Sequence, residues 1–127
     1  MPKKEIINLP GRPASAFPLS TVVRCGDMVF VGGIGGRNPQ TNERGSFREQ
    51  LEISLETISS VLKVAGTSLD NVVSVTSWLA RKEDWEEYNE IYRRYFPKDP
   101  PSRSTVVVSL IHPGMLVEIT CIAVMPS

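Results

Sequence analysis

Arg103 and Glu118 are the two residues whose types and settings could do chemistry. Arg103 stands in Pro100-Pro101-Ser102-Arg103-Ser104-Thr105-Val106-Val107-Val108, where a turn hands over to a strongly β-forming run. A guanidinium fixed to a rigid strand presents a planar fork of donors suited to a carboxylate. Glu118 lies in Met115-Leu116-Val117-Glu118-Ile119-Thr120, and by the two-residue strand period it shares a face with Thr120, Ile122 and Val124. Together they point to a small anionic substrate and to acid–base chemistry without a cofactor. Residue types leave a second account open, an arginine at the surface or in an ion pair and a glutamate paired with a cation. On spacing alone that second account is the commoner outcome.

The elements that must hold these groups can be read along the chain. Thr21 to Cys25 and Met28 to Val31 form β-like runs joined by Gly26-Asp27, the composition of a tight hairpin turn. Glu5 to Leu9, ending at Pro10-Gly11, reads as an edge strand. Ser46-Phe47-Arg48-Glu49 has the spacing of a capping box, with Ser46 as the N-cap. Phe47, Leu51, Leu55, Ile58, Val61, Leu62 and Ala65 then mark one apolar stripe of a helix, which Gly66 is placed to end. Asn71 to Leu79 reads as a strand. A second helix runs from about Glu83 to Phe96, with Trp85, Tyr88, Ile91, Tyr92, Tyr95 and Phe96 on its inner side and Pro97 stopping it. Arg103 to Leu110 and Met115 to Met125 complete the chain as strands.

The expected fold is therefore α+β, in the order β-β-β-α-β-α-β-β, with both helices packed on one face of a mixed sheet. Residues 1–127 read as a single domain, since a chain of this size buries roughly two-thirds of its unfolded surface. Val72-Val73, Val106-Val107-Val108 and Cys121-Ile122-Ala123-Val124 are apolar on both strand faces, whereas two helices cover only one. Another copy of the chain is the simplest cover for the other.

Several function classes fit poorly. The 14 basic and 14 acidic residues balance, and no basic stripe suggests nucleic acid or an anionic membrane. Two cysteines, one histidine and no CxxC pair argue against a metal site, so none is expected. Cys25 and Cys121 read as buried free thiols of a reducing compartment, and the start of the chain as neither a signal peptide nor a membrane span. A cytoplasmic protein is the expectation. Gly33-Ile34-Gly35-Gly36-Arg37-Asn38 fails as a dinucleotide fingerprint because Asn38 stands where a glycine is required. What remains is a glycine-rich backbone that could approach an anion, or a plain loop. His112, beside Pro113-Gly114, reads as loop surface, and the aromatic stripe of the second helix as core.

These segments resemble the RidA (YjgF-type) reactive intermediate deaminase family. The resemblance spans roughly Pro18 to Val124. It rests on Gly26-Asp27-Met28-Val29-Phe30-Val31-Gly32-Gly33, Tyr88-Asn89-Glu90-Ile91-Tyr92, Pro101-Ser102-Arg103-Ser104, and Val117-Glu118-Ile119 with Ile122-Ala123-Val124. It implies a chorismate-mutase-like fold, a homotrimer with clefts between subunits, and hydrolysis of 2-enamine or 2-imino acids to 2-keto acids and ammonia, with no cofactor. In that family the residue matching Arg103 grips the substrate carboxylate, and the one matching Glu118 positions or activates water. The glycine matching Gly33 helps hold the ligand, and Asn89 matches a position best assigned to structural hydrogen bonding. The chain departs from the family at Leu19, commonly tyrosine, at Gly32, commonly serine, and at Thr105, often cysteine. With Phe17 alongside Leu19, these changes imply a more apolar cleft and a bulkier or more hydrophobic substrate side chain. A non-catalytic carboxylate-binding or regulatory protein of the same fold, or a deaminase of another unsaturated amino acid, are the alternatives.

Overall fold

Gly26, with φ 59°, closes the hairpin between β2 (Val22–Cys25) and β3 (Met28–Ile34). The computed structural model describes residues 1–12 and 14–127. β1 (Lys4–Ile6) pairs antiparallel with β2 and forms one edge of the sheet. The first helix, α1 (Phe47–Ala65), begins with the expected capping box: the Ser46 side chain accepts from the Glu49 N–H, and the Glu49 carboxylate accepts from the Ser46 N–H. Gly66 ends it in the left-handed conformation, at φ 93°.

β4 (Val72–Leu79) is followed by a 3-10 turn over Lys82–Asp84 and by α2 (Trp85–Tyr95). β5 (Ser102–Val107) and β6 (Val117–Val124) close the chain. The six strands lie in the order β1-β2-β3-β6-β4-β5, so β5 is the second edge. Among the described residues, β4 and β5 alone pair in parallel, and the other strand pairings are antiparallel. The mixed sheet and the element order are those the sequence implies.

Among the differences from expectation, three have clear physical reasons. β3 runs past Val31 to Ile34 because it stays paired with β6 across an irregularity in register between those two residues. β5 stops at Val107, where β4 ends as its only neighbour. Trp85, expected on the inner side of α2, is 45% exposed because it opens the helix at the rim of the sheet.

The core lies between the helices and one sheet face. Val117, Ile119, Cys121 and Ala123 of β6 point into it together with Val75, Ser77 and Leu79 of β4, and meet the apolar stripe of α1. The alternate residues face away. On that side Phe30 pairs with Ile122, Met28 with Val124, and Trp78 with both Glu118 and Val106. Neither helix covers this face, and Met28, Phe30 and Val106 are exposed on it. The sequence-based expectation of an uncovered apolar face therefore holds for the single chain.

Candidate functional site

Arg103 sits in register with Val75 of β4, so its side chain enters the helix-covered layer at the sheet edge. There it meets α2. Its guanidinium carbon lies 4.7 Å from the centre of the Tyr92 ring, 4.8 Å from Tyr88 and 5.3 Å from Trp85. Aromatic faces attract a cation without consuming its donors, typically by about 0.5–2 kcal/mol depending on desolvation. Nη2 donates to Oδ1 of Asn89 at 2.8 Å, and no carboxylate pairs with the group among the described residues. A half-buried guanidinium held by rings and one amide, with most of its donors unspent, is built to receive an anion.

Two hollows flank it. One, of about 240 Å³, is lined by Asn89, Tyr92, Arg93, Phe96, Pro100, Pro101 and Arg103. The other, about 600 Å³, runs between Trp85 and the strand edge at Thr105, Val106 and Val107. Thr105 Oγ1 lies 3.5 Å from the Tyr88 hydroxyl, which in turn is 2.7 Å from Oγ of the fully buried Ser77. Burial raises the Tyr92 phenol well above its ordinary value, with Tyr88 adding to the effect, so it stays neutral beside the arginine.

Gly33 and Glu118 form a second constellation on the other sheet face. A Cβ placed on Gly33 would fall 2.2 Å from Oε2 of Glu118 and 2.9 Å from its Cδ, so only glycine lets the carboxylate lie there. The end of β3 is fixed from α1, where Ser54 Oγ donates to the Ile34 carbonyl at 2.8 Å. The adjoining loop packs so closely that a Cβ on Gly36 would come within 1.9 Å of the Gln50 carbonyl oxygen. Gln50 itself donates to the Gly45 and Gly114 carbonyls and accepts from the Leu116 N–H, which ties that loop to the start of β6.

Of the expected site residues, the structure groups Arg103, Asn89 and Thr105 in one place and Gly33, Gly32 and Glu118 in another. Gly32 has its own N–H spent on the Thr21 carbonyl at 2.7 Å. Leu19 is 59% exposed and lines a hollow beside Gly33. Phe17, 66% exposed, does not line that hollow. The more apolar cleft expected from Leu19 is only partly realised, because Arg12, Arg37 and three hydroxyl-bearing residues line the same hollow. Reading the aromatic stripe as core alone missed the cage around Arg103. The signal was available: Trp85 and Tyr92 each lie three or four residues from both Tyr88 and Asn89, placing an amide inside an aromatic stripe.

Within one chain Arg103 and Glu118 do not converge. Arg103 pairs with Val75 on the helix side, whereas Glu118 pairs with Trp78 on the opposite side.

Comparison with known proteins gives a consistent picture. A family described as Endoribonuclease L-PSP matches residues 10–125. Reactive Intermediate Deaminase A, chloroplastic, of Arabidopsis thaliana is 35% identical over 123 residues, covering 95% of this chain and 66% of that protein. The 2-iminobutanoate/2-iminopropanoate deaminase of Mus musculus is 32% identical over 123 residues, covering 95% of this chain and 91% of the mouse protein. The crystal structure of RidA from an Antarctic Psychrobacter superposes with a TM-score of 0.87 at 30% identity, covering 95% of this chain and 99% of that one.

Proposed function

Because the chain belongs to the Endoribonuclease L-PSP family, the RidA (YjgF-type) proteins of chorismate-mutase-like α+β fold, we propose that it hydrolyses reactive 2-imino acids, and the enamines that tautomerise to them, to 2-keto acids and ammonia. The observation that carries this reading is the unpaired, ring-caged guanidinium of Arg103 with Asn89 holding its fork.

In this reading the substrate carboxylate takes the free donors of Arg103. The protonated imine carbon is already electrophilic, so orientation and one proton acceptor suffice. Glu118 accepts a proton as water adds to the imine carbon, and the nitrogen becomes an amine. Collapse of that adduct, with the nitrogen protonated to leave as ammonia, yields the ketone. Gly33 admits the carboxylate of Glu118 to the cleft, and Asn89 sets the orientation of Arg103. No step calls for a cofactor or metal.

A shared cleft then requires two copies, since Arg103 and Glu118 of one chain face opposite ways. We therefore include a homotrimer in the proposal, with the β5 edge of one subunit set against the Gly33–Glu118 face of the next. The uncovered apolar row of Met28, Phe30 and Ile122 supports such an assembly. Among the described residues, no helix is long and apolar enough to cross a membrane. A cytoplasmic location belongs to the same reading, and Cys25 and Cys121 are both free thiols, as a reducing compartment leaves them. RNA cleavage, which the family description names, gains no support from a chain with zero net charge.

A second reading, carboxylate binding without chemistry, is favoured by one fact: the Arg103 half is complete in a single chain without Glu118. Generating imines with an amino-acid oxidase and trapping the remainder with semicarbazide separates the two. Added protein should lower trapping; unchanged trapping beside intact keto-acid binding would leave the binding protein.

A further inference from the structure

The hollow beside Gly33, about 310 Å³, has a wall that neither Arg103 nor Glu118 supplies. Arg12, Arg37, Ser20, Thr21 and Thr57 line it with the Gly32–Gly35 backbone, and no acidic residue does. Neither arginine takes part in an ion pair among the described residues.

Arg37 is held in place rather than loose. Its Nη1 donates to the carbonyl and to Oδ1 of Asn42, at 3.2 and 3.3 Å. The turn presenting Asn42 is itself knit together, with Oδ1 of Asn38 accepting from the N–H groups of Gln40 and Thr41 and the Asn38 carbonyl accepting from Asn42. Nε and Nη2 of Arg37 are left without a protein acceptor among the described residues. Arg44, bridged to Arg37, adds a third cation, and its Nε is buried without a partner. Burial first, and then Arg37, lowers the pKa of Arg44, as expected where cations crowd without an anion. Two acids, Glu52 and Glu56, line an adjoining hollow with Arg12 and Arg37 but are engaged elsewhere. Glu52 pairs with Arg94 at 3.7 Å, and Glu56 accepts from the Tyr95 hydroxyl at 3.0 Å.

We propose that this hollow is the distal part of the substrate site and takes a second anionic group, a carboxylate or phosphate, at the far end of a 2-imino or 2-keto acid. The inference rests on the deaminase reading for the placement of the near end. Gly33 belongs both to the Glu118 constellation and to the hollow, so a ligand passing Gly33 reaches Arg37. Leu19 on the same wall suits the carbon chain between the two anions.

Calorimetric binding of two stable keto acids of equal length tests this. 2-Oxoglutarate, with its second carboxylate, should bind about tenfold more tightly than 2-oxopentanoate, with a margin that narrows as salt is added. Arg37→Gln and Arg12→Gln, with unchanged melting temperatures, should bring that ratio toward one, and Arg37→Lys should retain part of it. Equal affinities in the native protein, or a ratio that survives both glutamine substitutions, overturn the proposal. So does inorganic phosphate that binds through Arg37 without displacing 2-oxoglutarate, which would make the hollow a free-anion site. Arg103→Ala should weaken both keto acids alike; if it weakens neither, the underlying substrate reading fails instead.

Discussion

Arg103 and Glu118 project from opposite faces of the same sheet, on strands that flank β4. The reason is register. Arg103 pairs with a core residue, Val75, while Glu118 pairs with Trp78, whose side chain turns away from the helices. Within one chain a guanidinium and a carboxylate so arranged cannot neutralise each other, and Arg103 is left with donors for a ligand.

The aromatic cage makes Arg103 more than a positive charge. Arg103→Lys should keep the charge yet lose the planar fork and most of the ring stacking, weakening 2-oxobutanoate binding at least tenfold by calorimetry.

Asn89 gives a sharper case. Asn89→Ala removes one acceptor and should weaken keto-acid binding several-fold. Asn89→Asp is nearly isosteric but sets a carboxylate against Nη2 of Arg103, which the amide oxygen now approaches to 2.8 Å. It should weaken binding more than alanine does, by an order of magnitude or more. Equal losses from the two substitutions would count against an anion-receiving arginine.

Gly33→Ala separates function from stability. The added methyl falls on the end of a flexible side chain, and the backbone at Gly33 is not in the left-handed region. Displacement of Glu118 should lower turnover tenfold or more, while urea midpoints shift by only about 1 kcal/mol in stability. Gly36→Ala should do the opposite kind of damage, costing about 2–3 kcal/mol because its Cβ meets the backbone of α1.

Much of this architecture was legible in the chain itself. The Ser46 capping box, Gly66 and the Gly26-Asp27 hairpin each depend on a few adjacent residues and were readable as such. The opposed faces of Arg103 and Glu118 were not, because strand parity has no meaning across a sheet until the order β6-β4-β5 and its pairings are known. The 45% exposure of Trp85 was not legible, because helical periodicity gives a stripe but not where the sheet beneath it ends. Arg12 and Arg37 carried no periodic signal; they meet only through the fold of two loops.

The buried thiol predicts a pH dependence of stability. Burial pushes Cys121 up to about 12 from an ordinary value of 9.0. In the unfolded chain the thiol ionises near the ordinary value, so its contribution to stability is full below about pH 9 and is lost as pH rises toward 12. Urea midpoints should fall between pH 8 and pH 10.5, and the fall should be shallower in Cys121→Ala. In the folded protein at pH 8, iodoacetamide should modify the half-buried Cys25 well before Cys121.

Co-expression of Arg103→Ala with Glu118→Gln bears most directly on whether two subunits build one site. Each variant alone should be nearly inactive toward 2-imino acids. In mixed trimers an intact site forms wherever the Arg103 of one subunit meets the Glu118 of its neighbour, and random assembly should restore about a quarter of wild-type activity. Activity that stays at the level of the separate variants, or a protein that remains monomeric, would contradict the account.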